Sequence, residues 1–115
     1  MTREEKIKLI ADHYGYDRQC KQLMEEMGEL TQAVCKVWRA NNDMNLRSVD
    51  YSHMNPYLMC SIRSMIGECA DVCVMIHQIA YLTGMEPEIE RIMDQKLDRQ
   101  IQRIKEKKHE GRKKD

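Results

Sequence analysis

The chain predicts an all-α fold, a four-helix bundle assembled as an oligomer, and three observations carry that prediction. Leu, Met, Ile, Glu, Lys, Gln and Arg dominate its 115 residues, with only two prolines and five glycines, a composition that favours helix. Apolar residues recur at three- and four-residue steps, and no alternating apolar–polar run marks a strand. Helix-breaking signals at Gly15, "NNDMN" and Gly84 leave four segments of helical length. The length fits one domain with a small core. The expected division is a helical domain over residues 1–108 and a basic tail, 109–115, expected to be disordered.

The first helix is predicted from about Arg3 to His13, stopping near "YGY". The second starts after Asp17, read as its N-cap, and runs to about Ala40. "NNDMN" then breaks it, and a polar loop leads to Pro56. The third runs from about Pro56 to Thr83, with Gly84 as its C-terminal stop. The fourth starts at Pro87, a residue suited to a first turn, with Glu88 and Glu90 at the positive end of the dipole. It continues to about Lys108.

Within the second helix, Leu23, Met27, Leu30, Val34 and Trp38 form an apolar stripe expected to face the core. Beside it runs a strip of Gln22, Glu26, Glu29, Ala33 and Lys36, polar but not an ordinary lysine–glutamate surface. The third helix is apolar around almost its full circumference from Met65 to Leu82, which predicts burial. A four-helix monomer of this size cannot cover it all, so a second subunit is expected on residues such as Leu58, Ile62, Val72, Ile76, Ile79 and Leu82.

The formal net charge is zero, so overall charge gives no footprint for nucleic acid. The local run "RIKEKKHEGRKKD" reads as a solvated helix end. Five cysteines, an odd number, suit reduced thiols and a cytoplasmic protein better than a disulfide scaffold. The N-terminal "MTREEKIKLI" lacks a signal-peptide apolar core. No uncharged apolar run approaches the roughly 20 residues of a membrane span.

Glu68 and Asp71 stand out because they are carboxylates inside that apolar segment. They lie at i and i+3, on one face. A buried carboxylate must be paired, neutralised or bound to metal. The second helix offers "EEMGE", with Glu26 and Glu29 also at i and i+3. If the two helices pack antiparallel, four carboxylates converge, and a hard divalent cation relieves their repulsion. Oxygen-only ligands suit magnesium, with manganese as the alternative. Gly28 and Gly67 are expected to permit close helix approach. Taken alone, "EEMGE" reads first as a solvated acidic face; the two acidic pairs on adjacent helices together favour the metal site. Cys69, Cys73 and His77 lie one turn apart on another face; with no fourth zinc ligand, buried packing is expected for them. A di-iron carboxylate site is disfavoured, since neither Glu26 nor Glu68 is followed three residues on by histidine.

"EEMGE" followed by "ECAD" resembles the EExxE…ExxD signature of the MazG-like all-α nucleoside triphosphate pyrophosphohydrolases. The likeness spans about Gln19 to Arg103 and includes "GECADVCVMIHQIA" and the "TGM" turn. It implies a MazG-like bundle, dimeric or tetrameric, that hydrolyses a nucleoside triphosphate between the α- and β-phosphates with magnesium, releasing a monophosphate and pyrophosphate. Glu26, Glu29, Glu68 and Asp71 match the metal-ligand positions, and Glu25 the leading acid that orients or deprotonates the water; Glu25 and Glu26 are thus the catalytic candidates. In "KLDRQIQR", Lys96 and Arg103 match the family's phosphate-contacting K-x-x-x-N-x-x-R, with Gln100 in place of asparagine. Those three also flank the apolar stripe Ile89, Met93, Leu97, Ile101 and Ile104, so a solvated role competes. Gln22 and Lys36 join them as substrate-binding candidates. Trp38 stacks on a base in the reading drawn from relatives, and packs in the core in the reading drawn from its stripe. A phosphoribosyl-ATP pyrophosphohydrolase-like enzyme and a non-catalytic helical module that binds nucleotides or partners are the alternatives.

Overall fold

The computed structural model describes residues 1–41 and 56–114. It contains α1 (Arg3–Tyr14), α2 (Tyr16–Asn41), α3 (Pro56–Thr83) and α4 (Glu86–Lys114), and no strand among the described residues. The bounds of α3 are those the sequence predicts. Beyond its first residue, Asn41, the "NNDMN" break lies outside the described residues, as does the polar loop leading to Pro56. Asp17 sits inside the first turn of α2 rather than capping it, a place where its charge still suits the dipole. α4 runs past Lys108 into the basic tail, so the helix does not stop where the sequence reading ends it. None of the described helices is long and apolar enough to cross a membrane.

Local chemistry fixes the ends. α1 opens on a capping box: the Glu5 amide donates to Thr2 Oγ1 at 3.1 Å, and the Thr2 amide donates to Glu5 Oε2 at 2.9 Å. This reciprocal pair satisfies two amide donors at the helix start. Gly15 joins α1 to α2 at φ 84°, and Gly84 joins α3 to α4 at φ 68°, a left-handed region that glycine enters without a Cβ clash. After Gly84 the chain closes α3 with a Met85 amide bond to the Ala80 carbonyl at 3.0 Å, the longer bond of a glycine-terminated helix end.

α2 and α3 are antiparallel. Val37 packs with Leu58 and Ile62, Glu26 lies beside Glu68 and Asp71, and Gln19 shares a cleft with Met75 and Gln78. As numbers fall along α2 they rise along α3. α1 packs mainly on α3, where the Tyr81 hydroxyl donates to Asp12 Oδ2 at 2.9 Å.

The core is small. Val37, Leu58 and Ile62 form its centre, with Met59 and Met65 against them. Ala11, Ala33, Val72, Met75 and Ala80 are also buried, and among the described residues no large side chain is completely enclosed. The expected core stripe of α2 is therefore displaced. Its buried positions are Gln19, Ala33 and Val37, with Leu23, Glu26 and Leu30 half-buried; Met27 and Val34 are exposed, and Trp38 is 69% exposed. α3 is not buried all round either: Leu58, Ile62 and Val72 are covered, but Ile76 is exposed and Ile66 is 60% exposed. The helix also carries Arg63, exposed toward its N-terminal end. Gly28 and Gly67 correct another expectation, because a Cβ built on either meets nothing within 4 Å. Close helix approach does not require them.

α4 projects from the other three helices. It packs only lightly on α3, and Ile89, Met93, Leu97, Ile101 and Ile104 are all exposed along it. The radius of gyration is 19.0 Å, against about 13 Å for a compact chain near this length.

Candidate functional site

The acidic residues meet midway along the α2–α3 pair. One carboxylate oxygen each from Glu26, Glu68 and Asp71 lies within 4.8 Å of the others. Antiparallel packing produces this group: Glu26 is on the inner edge of α2, and the i and i+3 spacing of Glu68 and Asp71 turns both toward it. Glu26 and Glu68 are half-buried, and Asp71 is exposed at the rim.

Among the described residues, none pairs with this group to neutralise it. Glu26 Oε2 and Glu68 Oε2 are buried without a hydrogen-bond partner. Among the described residues, direct support comes from the Gln22 amide, which donates to Glu26 Oε1 at 2.8 Å. Among the described residues, the ion pairs Lys8–Glu4, Lys21–Asp17 and Arg91–Glu88 all lie on the surface, and none involves the three acids. Glu68 registers the conflict. Its pKa is pushed from the ordinary 4.5 up to about 7, first by burial, then by the adjoining Glu26 carboxyl and the charges of Glu29, Glu26 and Asp71. Near neutrality the chain alone thus holds part of a proton on Glu68.

Three oxygen donors are the donor chemistry of a hard divalent cation. Magnesium–oxygen bonds of about 2.1 Å place opposed ligands about 4.2 Å apart. Adjacent ligands lie closer still, so the three side chains would draw in from their present spread, and the two unpartnered oxygens are free to do so. The residues fit such an ion, although exposed acidic groups also occur without one.

Other sequence candidates fall in different places. Glu29 is exposed and outside the tight group of three, though its charge reaches Glu68. Glu25 is exposed and likewise outside it. Lys36 and Trp38 line a separate shallow cleft of about 440 Å³ near the end of α2, with Thr31 and Arg39. Lys96, Gln100 and Arg103 lie exposed on α4, and no hydrogen bond or ion pair joins them to the acids. Cys69, Cys73 and His77, expected to pack in the interior, are exposed; all five thiols are free.

The sequence reading missed two residues of the same seam, Gln19 and Gln78, which are 3% and 2% exposed. The signal was present in their spacing. Gln19 lies two helical turns before Glu26, and Gln78 two turns after Asp71, so each shares a face with its acid. Comparison with protein-family models, with curated proteins and with solved structures finds no match for this chain.

Proposed function

We propose that the protein is a magnesium-dependent nucleoside triphosphate pyrophosphohydrolase that cleaves between the α- and β-phosphates to give a nucleoside monophosphate and pyrophosphate. The observation that carries this reading is the meeting of Glu26, Glu68 and Asp71, with no ion pair to them among the described residues and two buried oxygens unpartnered. Its second support is the order and helical setting of "EEMGE" and "ECAD".

Glu26, Glu68 and Asp71, with Glu29 beside them, would hold the cation. When bound, magnesium, or manganese in its place, offsets the charge of the phosphate oxygens and lowers the pKa of a water. Gln22 fixes the Glu26 carboxylate through its 2.8 Å hydrogen bond, leaving the other oxygen for the site. Glu25, on the solvent side of the same helix, orients or deprotonates the attacking water. An in-line attack on the α-phosphorus breaks its bond to the bridging oxygen, and pyrophosphate leaves with that oxygen.

The active form is a homodimer or homotetramer in the cytoplasm, with no nucleic acid or membrane partner. The exposed stripe of α4 and the uncovered α3 residues support assembly, since one chain leaves them in water. Within such an assembly, Lys96, Gln100 and Arg103 reach the phosphates of a neighbouring subunit's site.

Pyrophosphate release from canonical and modified nucleoside triphosphates, with phosphoribosyl-ATP in the same panel, tests the reading. Magnesium-dependent release from one or more triphosphates is expected. Turnover of phosphoribosyl-ATP alone would assign the related enzyme instead, and no release from any member would leave a binding module.

A further inference from the structure

α1, α2 and α3 enclose a cleft of about 410 Å³ next to the acidic group. Its floor holds the two carboxamides missed by the sequence reading, Gln19 and Gln78, with Met75 between the helices. Its α1 wall is Ile10 and Tyr14, and the Arg18 guanidinium sits 4.9 Å from the Tyr14 ring centre, which braces that wall by a cation–π contact.

Two features distinguish this cleft from an ordinary helical groove. Gln19 Oε1 is buried with no hydrogen-bond partner, and an unmet polar atom in such a place is costly. The cleft is also in register with the acids. Seven residues separate Gln19 from Glu26 and Asp71 from Gln78. At 1.5 Å per residue, Gln19 and Gln78 are placed about 10 Å along their helices from Glu26 and Asp71, on the same side. Gln22 bridges the two zones, lining the cleft while donating to Glu26.

We propose that this cleft binds the nucleobase of the nucleotide, with Gln19 and Gln78 reading the base along its hydrogen-bonding edge. The inference rests on the pyrophosphohydrolase reading and deepens it, because it makes the protein base-selective rather than indifferent to what carries the phosphates. A carboxamide presents one acceptor and two donor hydrogens. It therefore matches a ring edge where an acceptor adjoins an N–H, which a sugar or a phosphate does not offer. The 10 Å offset is the scale of the sugar and base between a phosphate on the acids and the ring edge. Apolar Ile10, Val74 and Met75 cover the faces of the ring. A base that leaves a buried carboxamide unpaired is disfavoured for the same reason that Gln19 is unsatisfied in the bare chain.

The test is nucleotide binding without turnover. The monophosphates of uracil, cytosine, adenine and guanine, with ribose 5-phosphate as the baseless control, are titrated into the metal-free protein. The side-chain amide resonances of all glutamines are followed by NMR. The Gln19 and Gln78 signals should move for the preferred base and stay still for ribose 5-phosphate. Affinity for that base should fall about tenfold or more in Gln78→Met, the scale of one two-point carboxamide–base contact. It should hold in Gln102→Met, which makes the same change on the surface of α4. Gln19→Met serves if Gln78→Met does not fold. Equal binding of ribose 5-phosphate, or base-dependent shifts confined to other glutamines, would overturn the assignment. The two readings fail separately. Triphosphate hydrolysis with both carboxamide signals unmoved removes the cleft and keeps the hydrolase; base-dependent shifts without pyrophosphate release do the reverse.

Discussion

The α2–α3 pair and α4 violate the usual placement of side chains in opposite ways. Between α2 and α3, a seam of carboxamides and carboxylates is buried or half-buried: Gln19, Glu26, Glu68 and Gln78. Along α4, five large apolar residues face water, with Leu97 54% exposed. Buried polar groups need a partner that completes their hydrogen bonds or charge. Exposed apolar stripes need a partner that removes them from water. The first region asks for a small charged or polar ligand, and the second for a protein surface. Each experiment below removes one side of that contrast.

The largest effect is expected at the acids. Glu68→Gln or Asp71→Asn should lower pyrophosphate release by at least about 100-fold, the scale on which losing one charge-stabilising group acts. The fold should survive, since each change removes a charge from a crowded group. Near-parental rates at saturating magnesium would dismiss the site.

Next comes α4. Leu97→Glu or Ile101→Glu places a charge on the stripe and should convert the assembly to monomer, read by light scattering at micromolar concentration. A monomeric parent with full activity would mean that the stripe is simply solvated.

A third measurement separates the ligand from the scaffold. Glu68 holds its proton more tightly when folded, near pH 7, than at its ordinary 4.5. Stability of the metal-free chain should thus fall as pH rises from about 4.5 to about 7, because the folded state binds more protons there than the unfolded one. Glu68→Gln should flatten that slope in denaturant melts at fixed ionic strength. Magnesium at about a hundredfold excess over its Kd should raise the parent's stability by about 2.7 kcal/mol and leave Glu68→Gln nearly unmoved. Identical slopes in the two proteins would place the titrating group elsewhere.

Lys96→Ala should raise KM for the triphosphate several-fold with little change in kcat, the pattern of a lost phosphate contact made equally in ground and transition states. An unchanged KM would return Lys96 to the solvated face. The smallest effect is at Gly67. Open space around its Cβ position predicts that Gly67→Ala stabilises α3 by about 0.5–1 kcal/mol. A loss of activity or of assembly in that variant would show that a ligand or a second chain occupies that space.

Much of this was legible in the sequence. The four helices follow from local signals, because capping, glycine stops and proline at a first turn act within a few residues. The i and i+3 spacing of Glu68 and Asp71 likewise fixes which face they share, whatever packs against it. Which face is inside is a different matter. The stripe Leu23–Met27–Leu30–Val34–Trp38 has the better apolar periodicity, yet α2 turns Gln19, Ala33 and Val37 inward and leaves Trp38 in water. Val37 packs with Leu58 and Ile62 of α3, and Ala33 is buried one turn before it, so this face, not the stripe, is the one α2 turns inward. The seven-residue spacing to the acids puts Gln19 and Gln78 on the acids' faces, but their burial follows from the same rotation, which no reading of α2 or α3 alone could assign. The sequence therefore determined the helices, the ends of α3 and the pairing of acids along each helix, though not the start of α2 or the end of α4. The tertiary structure alone decided which residues of different helices meet, because helix rotation is set by packing across the chain rather than by periodicity within it.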